Sequence, residues 1–183
     1  MDMKYLIHEL AYGDSKAAMR ILYAHFYPKL MSFVYSLVKS KQDTEEIVMS
    51  TLYAVWDCRL KLAAIQNVTS YIFKIARNMT FDYLKQKKKQ TDLFDPGGTE
   101  TYSTVSSVSS PQEGLVESEL MDRLQQAVDS LPEKSRTAFK LVREQGFKYR
   151  EAAEIMEISV KTLEAHMALA TRRLLSILDE EIR

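Results

Sequence analysis

The segment from Phe147 to Leu174 carries side chains whose types and spacing suit contact with the edges of DNA bases. A helix that begins after Ser159, a residue type favoured as an N-cap, would place them on one face. Lysine can donate to guanine, glutamate can accept from cytosine, and an alanine methyl can touch thymine. The predicted contacts to duplex DNA are Lys148, Tyr149, Ser159, Lys161, Thr162, Glu164, Ala165, Ala168 and Arg172.

The opposite face of the same helix is apolar. Its apolar positions, at spacings of three and four residues, are Val160, Leu163, Met167, Ala170 and Leu174. This pattern predicts one buried stripe. A shorter helix over residues 149–156, with the small Ala153 at the crossing, would complete a helix-turn-helix. Glu157 stands where the turn commonly has glycine, and an ordinary helical hairpin with a solvated face is the alternative interpretation.

A second set of residues, between 67 and 89, suits unpaired DNA. The rings of Tyr71, Phe73 and Tyr83 could stack on bases, and nearby cations could follow phosphates. A loop over residues 61–69 packed against the following helix could hold one flipped base, lined by Asn67, Ser70 and Tyr71. Core packing of Tyr71 and a solvated basic face remain alternatives. The predicted contacts to single-stranded DNA are Asn67, Ser70, Tyr71, Lys74, Arg77, Asn78 and Lys85.

Residues with catalytic potential are not grouped in the sequence. His8, His25 and His166 are scattered, and Cys58 has no histidine near it. There is no glycine-rich phosphate loop and no metal-ligand spacing. We therefore expect a protein that is not an enzyme, with no catalytic residues, no metal site and no cofactor.

The N-terminal part of the chain, up to residue 89, has the sequence pattern of a series of helices. Asp14 can cap a helix, and Pro28 should start or kink the helical stretch that follows, up to about residue 38. Asp43, with Glu46 three residues later, resembles a capping box for the next helix. Thr69 or Ser70 would open a further helix that ends in a lysine-rich stretch.

Composition changes after that helix. Residues 90–114 are rich in Ser, Thr, Gly and Pro and cannot bury enough apolar surface to offset their ordering entropy, which predicts a flexible linker. Helical patterns return over 115–129 and 133–145, and Gly146 marks the end of the second. We predict an all-α fold: two helical domains, 1–89 and 115–183, joined by that linker, the C-terminal one a helix-turn-helix.

Charge is distributed unevenly over a chain whose formal net charge is zero. Residues 1–90 hold 14 Lys and Arg against 8 Asp and Glu, residues 91–130 hold 1 against 8, and residues 131–183 hold 10 against 9. A basic lobe can bind a polyanion by releasing its counterions. The lack of an apolar run long enough for a membrane span, the absence of an evident export signal and the single cysteine lead us to expect a cytoplasmic protein without membrane insertion.

The ordered set of motifs resembles a known family. The stretches "GDSKAAMRILYAHFYPKLMSFVYSLV" (13–38), "DTEEIVMSTLYAVW" (43–56) and "SYIFKIARNMTFDYLKQKKK" (70–89) resemble region two of extracytoplasmic-function sigma factors. The stretch "LPEKSRTAFKLVREQGFKYREAAEIMEISVKTLEAHMALATRRL" (131–174) resembles their region four. The resemblance covers nearly the whole chain outside the linker.

The resemblance implies a promoter-specificity subunit of bacterial RNA polymerase. Region two would bind the clamp coiled coil of the largest polymerase subunit and would melt and hold the −10 element, while region four would contact the flap region and the −35 element. Promoter DNA, core polymerase and an anti-sigma factor are the implied partners. The implied polymerase contacts are Asp43, Glu45, Glu46, Met49 and Ser50.

The chain departs from the family pattern at a few positions. Met49 and Ser50 stand where the family often has Gln and Glu, and Lys148 stands where a Ser or Asn cap is common. The segment "SVKTLEAH" is also similar to the DNA-binding domain of two-component response regulators. That alternative requires an N-terminal domain of alternating strands and helices, whereas residues 1–90 show helical periodicity only.

Overall fold

Helices are the only regular secondary structure in residues 2–94 and 123–181, the residues that the computed structural model describes; side chains are described for 2–90 and 123–176. The all-α prediction is confirmed. The chain divides into two compact units, one formed mainly by the helices up to Phe94 and the other mainly by those from residue 123 onward.

Five helices form the described part of the N-terminal unit. They are α1 (Met3–Tyr12), α2 (Ser15–Val38), α3 (Lys41–Asp57), α4 (Arg59–Leu62) and α5 (Val68–Phe94). Helix α2 packs against α1, α3 and α5, and its inward side chains Phe26 and Phe33 are fully buried. The buried Phe33 ring lies 5.5 Å from the ring of Phe73 in α5, so the aromatic centre of this unit joins helices that are far apart in the sequence.

Local signals set most of the helix starts in this unit. Asp14 caps α2 as predicted, with its carboxylate accepting from the amide of Ala17 at 3.1 Å. Pro28 does not start a new helix, because α2 continues through it. The carbonyl of Ala24, four residues earlier, loses its helical donor there, and both residues lie on the exposed side where water can bind that carbonyl.

The boundary predicted at residue 89 falls inside a helix. Helix α5 continues to Phe94, so residues 90–94, which were predicted to begin the linker, are helical. Residues 85–90 are all lysine or glutamine, which are good helix formers, and the sequence has no glycine or proline after them until Pro96. The rest of the predicted linker lies outside the described residues.

The described part of the C-terminal unit contains four helices. They are α6 (helical over 123–129), α7 (Glu133–Phe139), α8 (Tyr149–Met156) and α9 (Val160–Glu181). Helix α7 continues into a π-helical turn over Lys140–Glu144, so the helical range agrees with the predicted 133–145 to within one residue. The core of the unit includes Leu131, Leu141 and Ile155, all at most 1% exposed.

A buried cation lies in the π-helical turn. Lys140 is 2% exposed, and its ammonium group lies 2.7 Å from the carboxylate of Glu144 one turn later. A buried ammonium needs such a partner because desolvation of an isolated charge is costly. The chain then turns at Gly146, whose φ of +74° is a backbone conformation that favours glycine.

Candidate nucleic-acid interface

The turn between α8 and α9 has the geometry of a helix-turn-helix. Glu157 occupies the position where glycine is common and adopts the left-handed conformation itself, with φ of +56°. Ser159 caps α9, because its hydroxyl accepts from the amide of Thr162 at 3.0 Å. The two helices therefore have the predicted bounds and the predicted cap, although the turn residue is glutamate.

The inward face of α9 holds it against the rest of the C-terminal unit. Leu163, Met167, Ala170 and Leu174 are all buried, as the spacing predicted. Val160 was predicted to share this stripe and does not, since its side chain is 40% exposed. It is the first residue of the helix, at its outer end, so the buried stripe starts one turn later.

A polar contact also fixes the orientation of α9. The buried hydroxyl of Ser135, at the start of α7, lies 3.3 Å from the Nδ1 atom of His166. His166 flanks the apolar stripe and is half-buried. Helices α7 and α9 pack closely, so this contact restricts rotation of α9 about its axis and keeps its outward face in one orientation.

All nine residues predicted to contact duplex DNA are exposed. They are Lys148, Tyr149, Ser159, Lys161, Thr162, Glu164, Ala165, Ala168 and Arg172. Two of them also have a local role, because the hydroxyls of Ser159 and Thr162 lie 2.8 Å apart within the N-cap. Four of the nine line a shallow open groove together with Met167, Thr171 and Leu175; the four are Tyr149, Glu164, Ala168 and Arg172.

The start of α8 is capped by a residue that sequence reasoning did not single out. The backbone amide of Lys148 donates to the carboxylate of Glu151 at 2.9 Å, which is the reverse half of a capping box. The lysine at position 148 therefore does not disrupt the helix start. Its side chain remains exposed at the positive end of the helix, where an anion is favoured.

The start of α5 differs from the prediction. The helix begins at Val68, and the side-chain oxygen of Asn67 accepts from the amide of Ser70 at 3.0 Å. Ser70 was predicted to contact single-stranded DNA, but the residue is only 2% exposed. Its hydroxyl has no hydrogen-bond partner among the described residues. Ser70 therefore does not present a surface to a base, and Asn67 has a structural role as a cap.

Tyr71 is placed between the core and the surface. It is half-buried, and its phenol lies close to the thiol of Cys58. Burial is the main cause that raises the pKa of Tyr71, and the neighbouring Cys58 adds to it. Half-burial of Tyr71 is compatible with both packing and stacking, so stacking on a base stays a prediction.

The cations predicted along α5 are arranged at different depths. Lys74, Arg77 and Asn78 are half-buried, whereas Lys85 is exposed. The guanidinium of Arg77 donates to the side-chain oxygen of Asn78 at 2.8 Å and lies 4.6 Å from the centre of the Phe81 ring. This contact fixes Arg77 and Asn78 as a pair, so a phosphate or base would meet a preoriented group there.

Two aromatic rings considered for stacking have other positions. Phe73 is 1% exposed and belongs to the core, so it cannot stack on a base. The phenol of Tyr83 donates to the carboxylate of Asp43 at 2.5 Å. Tyr83 is thus tied to α3, and the ammonium of Lys87 lies 5.4 Å from the centre of its ring.

The acidic start of α3 also differs from the prediction. The N-cap is Ser40, whose hydroxyl accepts from the amide of Asp43, and α3 begins at Lys41. The carboxylate of Asp43 is not the cap; it accepts from Tyr83 and lies 3.8 Å from the ammonium of Lys87. The hydrogen bond from Tyr83 to this carboxylate is the largest cause that lowers the pKa of Asp43, and the side chains of Ser40 and Lys87 lower it further.

The rest of α3 presents an outward face. Glu46, Met49 and Ser50 are exposed, and Glu45 is half-buried. Tyr53, which sequence reasoning did not select, is 70% exposed, and Met49 is 51% exposed. The spacing of four residues from Met49 to Tyr53 placed the two on one helix face and could have identified this residue.

Other site types are not supported by the described parts of the chain. They contain no group of three or more His, Cys, Asp or Glu side chains that could hold a metal ion. No helix among the residues searched is both long enough and apolar enough to cross a membrane.

Two family models match the chain in order. Residues 22–90 match sigma-70 region 2, and residues 121–174 match sigma-70, region 4. The extracytoplasmic-function RNA polymerase sigma-E factor of Escherichia coli (strain K12) is 23% identical over 167 residues, which cover 88% of this chain and 86% of the relative. The corresponding sigma factor SigW of Bacillus subtilis (strain 168) is 24% identical over 172 residues, or 91% of each chain.

Solved structures share the fold. The sigma factor RpoE from Bartonella quintana, in complex with the anti-sigma factor NepR, has a TM-score of 0.72 at 22% identity over 87% of this chain and 96% of that chain. CnrH, in complex with the cytosolic domain of CnrY, has a TM-score of 0.69 at 20% identity over 97% of both chains. A helical two-unit protein with a helix-turn-helix and sigma-70 regions 2 and 4 is a sigma-70-type protein. The chain belongs to the extracytoplasmic-function group of sigma-70 factors.

Proposed function

We propose that the chain binds core RNA polymerase and directs promoter-specific initiation of transcription. The observation that carries this proposal is the occurrence of regions 2 and 4 in order in one chain, each with an exposed face of suitable chemistry. The domain spanning 1–89 would bind polymerase and the −10 element, the domain spanning 115–183 would bind the −35 element, and residues 90–114 would connect them. The polymerase supplies the catalytic chemistry, and the complex acts in the cytoplasm.

In the C-terminal unit, α9 would lie in the major groove of the −35 element. Lys161 and Glu164 have the donor and acceptor types that distinguish guanine and cytosine, and the small Ala165 and Ala168 allow close approach to the base edges. Arg172 lies about three turns beyond Lys161 along the helix and would contact a phosphate, which orients the protein without specifying sequence. The flap region of the polymerase would hold this unit at the correct distance.

In the N-terminal unit, α5 and the loop before it would hold the melted −10 strand. Unstacking a base costs a few kcal/mol, and stacking on an aromatic ring returns on the order of 1–3 kcal/mol. Tyr71 supports this role, because part of its ring is accessible while its phenol packs beside Cys58. Lys74, Arg77 and Lys85 would bind the flanking phosphates.

Polymerase would bind the outward face of α3. Glu46, Met49, Ser50 and Tyr53 form a mixed surface in which an apolar centre lies beside a carboxylate. Such a surface complements a basic helix with an apolar anchor, which fits the clamp coiled coil of the largest polymerase subunit. Asp43 would support this surface indirectly, since its carboxylate is engaged with α5.

An anti-sigma factor is a further proposed partner. Both of the solved structures described above are complexes, one with the anti-sigma factor NepR and the other with the cytosolic domain of CnrY. A regulator of that kind would occupy surfaces that polymerase or DNA otherwise uses. The response-regulator alternative receives no support, because the described part of the N-terminal unit has no strand.

The proposal is tested by the affinity of the full chain for purified core polymerase. We expect Glu46→Lys and Tyr53→Ala each to weaken the complex, because one reverses a charge and the other removes an exposed apolar anchor. Tyr12→Ala, which removes a tyrosine of similar exposure from α1, is the matched control and should leave the affinity unchanged. A wild-type chain that fails to bind core polymerase would contradict the proposed function. Equal affinity for all variants would move the interface away from α3.

A further inference from the structure

The buried hydroxyl of Ser135 is directed to a neighbouring helix and not to its own. This hydroxyl, in the first turn of α7, shares a hydrogen bond of 3.3 Å with the Nδ1 atom of His166 in α9. Other buried hydroxyls donate to a carbonyl of their own helix, as those of Ser36, Thr80 and Thr137 do at 2.6, 2.7 and 2.8 Å. The hydroxyl of Ser135 therefore joins two helices, whereas these three bonds each stay within one.

The backbone beside Ser135 has other donors. The carbonyl of Leu131, four residues before Ser135, accepts from the guanidinium of Arg136 at 3.3 Å, and the carbonyl of Pro132 accepts from the amide of Arg136 at 2.9 Å. These are the two carbonyls to which a helical serine commonly donates. Ser135 is 1% exposed, and a buried hydroxyl without a partner is costly. The imidazole of His166 therefore supplies the partner that the neighbouring backbone does not.

The hydrogen bond adds direction to the packing of α7 against α9. The buried side of α9 carries apolar residues, among them Leu163, Met167 and Ala170. Burial of apolar surface has no preferred direction, and methionine adapts its shape to its surroundings. A hydrogen bond weakens steeply as its angle departs from linear. The bond from α9 to Ser135 therefore favours one rotation of α9 about its axis.

A small rotation of α9 has a large effect on its outward face. Side-chain tips lie about 5–6 Å from a helix axis, so a rotation of about 10° moves them by about 1 Å. A displacement of that size weakens a hydrogen bond from Lys161 or Glu164 to a base edge. His166 itself lies about 140° around the helix from Lys161, since five steps of about 100° separate them. It is therefore outside the face that would contact bases and can act on that face only through the position of the helix.

We propose that Ser135 and His166 are positioning residues that set the base preference of α9 without touching DNA. The inference rests on the proposed function, in which Lys161 and Glu164 read the −35 element. The pair fixes the rotation of α9 and thereby the distance from these two side chains to the base edges. Loss of the pair changes the base preference, because the apolar packing that remains allows α9 to rotate.

Two matched variants of α7 distinguish positioning from stability. Ser135→Ala removes the hydroxyl that reaches α9, and Thr137→Val removes a buried hydroxyl that bonds within α7. Competition among −35 duplex variants for the complex of the full-length chain with core polymerase measures the base preference. We expect Ser135→Ala to lower the preference at the base pairs read by Lys161 or Glu164 by about threefold or more, and Thr137→Val to leave it unchanged. An unchanged preference in Ser135→Ala, or an equal change in both variants, overturns the proposal.

Variants of His166 test the other partner of the bond. His166→Ala removes the imidazole and should change the preference at the same base pairs as Ser135→Ala. His166→Asn keeps a polar atom near the position of Nδ1 and should restore the wild-type preference, but not when it is combined with Ser135→Ala. The double variant Ser135→Ala with His166→Ala should match either single variant, because the two residues act through one bond. A uniform loss of affinity for all sequences in His166→Ala would make His166 a phosphate contact and overturn the proposal.

A comparison in the Lys161→Ala background separates this inference from the function on which it rests. At the base pairs whose preference Lys161→Ala alters, adding Ser135→Ala should produce no further change, because the side chain that the pair positions is gone. A further change there would mean that Ser135 acts independently of Lys161 and would overturn the proposal. A wild-type complex without any preference among the −35 variants overturns the proposed function and this inference with it. A wild-type preference that Ser135→Ala and His166→Ala both retain overturns this inference alone.

Discussion

The phenol of Tyr83 donates a hydrogen bond of 2.5 Å to the carboxylate of Asp43, a residue 40 positions earlier in the chain. The ammonium of Lys87 lies 3.1 Å from the same phenolic oxygen and 3.8 Å from the carboxylate. These contacts join the first turn of α3 to the C-terminal half of α5. The helix proposed to bind polymerase and the helix proposed to bind the −10 strand are therefore held together by a defined polar contact.

Removing the hydroxyl of Tyr83 should destabilise the N-terminal unit. Tyr83→Phe leaves the carboxylate of Asp43 without its closest donor, and we expect a loss of about 1–2 kcal/mol in the free energy of unfolding by urea. Tyr53→Phe, at a tyrosine that is 70% exposed, is the control and should have little effect. A loss of similar size in both variants would mean that the contact does not stabilise the fold.

The same contact predicts a pH dependence. The hydrogen bond from Tyr83 is the largest of the contacts that lower the pKa of Asp43 from its ordinary value of 3.8. A lowered pKa means that the folded state favours the ionised carboxylate, so the contribution is fully present above pH 3.8 and is lost as the pH falls through the lower folded value. The difference between wild type and Tyr83→Phe should therefore be constant from neutral pH down to mildly acidic pH and shrink below it. A difference that grows on acidification would contradict this assignment.

Gly146 and Glu157 both adopt a positive φ, so substitutions at these two turn residues measure the energetic cost of that backbone conformation. Glu157, at φ +56°, bears a strain that glycine would not, so Glu157→Gly should stabilise the C-terminal unit by about 0.5–1 kcal/mol. Gly146→Ala should destabilise it by about 1 kcal/mol, since an added Cβ meets nothing within 4 Å and the cost is conformational. Urea unfolding measures both changes. Destabilisation by Glu157→Gly would show that the glutamate side chain contributes more than its backbone conformation costs.

Substitution in α9 should separate base contacts from phosphate contacts. Lys161→Ala should change the preference at one or two positions of the −35 element by about 1–3 kcal/mol. Arg172→Ala should weaken binding to all sequences alike. It should also reduce the slope of the logarithm of the binding constant against the logarithm of the salt concentration by about one. Competition among −35 duplex variants for the polymerase complex measures both. A uniform loss in Lys161→Ala would make Lys161 a phosphate contact.

The start of α5 allows a stacking residue to be distinguished from structural residues. Tyr71→Ala should lower the permanganate reactivity of −10 thymines, and a template with a pre-melted bubble should restore transcription, because only strand opening is affected. Asn67→Ala should instead cost about 1 kcal/mol of stability through the lost cap. Ser70→Ala, at a buried hydroxyl without a partner among the described residues, should change neither. Normal melting in Tyr71→Ala would remove Tyr71 from the proposed pocket.

The sequence predicted those features that depend on neighbours along the chain. The caps at Asp14 and Ser159 and the buried face of α9 follow from spacings of three or four residues, which helical geometry converts directly into contacts. The cap of α3 was assigned to Asp43 rather than Ser40 because both types are good caps and the sequence pattern does not rank them. The partner of Asp43, Tyr83, comes from a distant helix and could not be identified from spacing.

The remaining differences have similar causes. Ser70 lies inside α5 rather than at its start, because the helix begins at Val68, and it shares the buried face with Phe73 three residues later. Tyr53 was overlooked because an aromatic residue on an amphipathic helix usually belongs to the core. Its exposure became apparent only when the packing of α3 against α2 and α5 was known.

The proposed function is tested most directly by transcription of fragmented genomic DNA with purified core polymerase, with and without the full-length chain, followed by sequencing of the 5′ ends of the transcripts. A discrete set of start sites should depend on the added protein, and these sites should share one motif near −10 and another near −35. The Lys161→Ala variant should shift the −35 motif without changing the −10 motif. Start sites that are the same with and without the chain would contradict the proposed role in initiation.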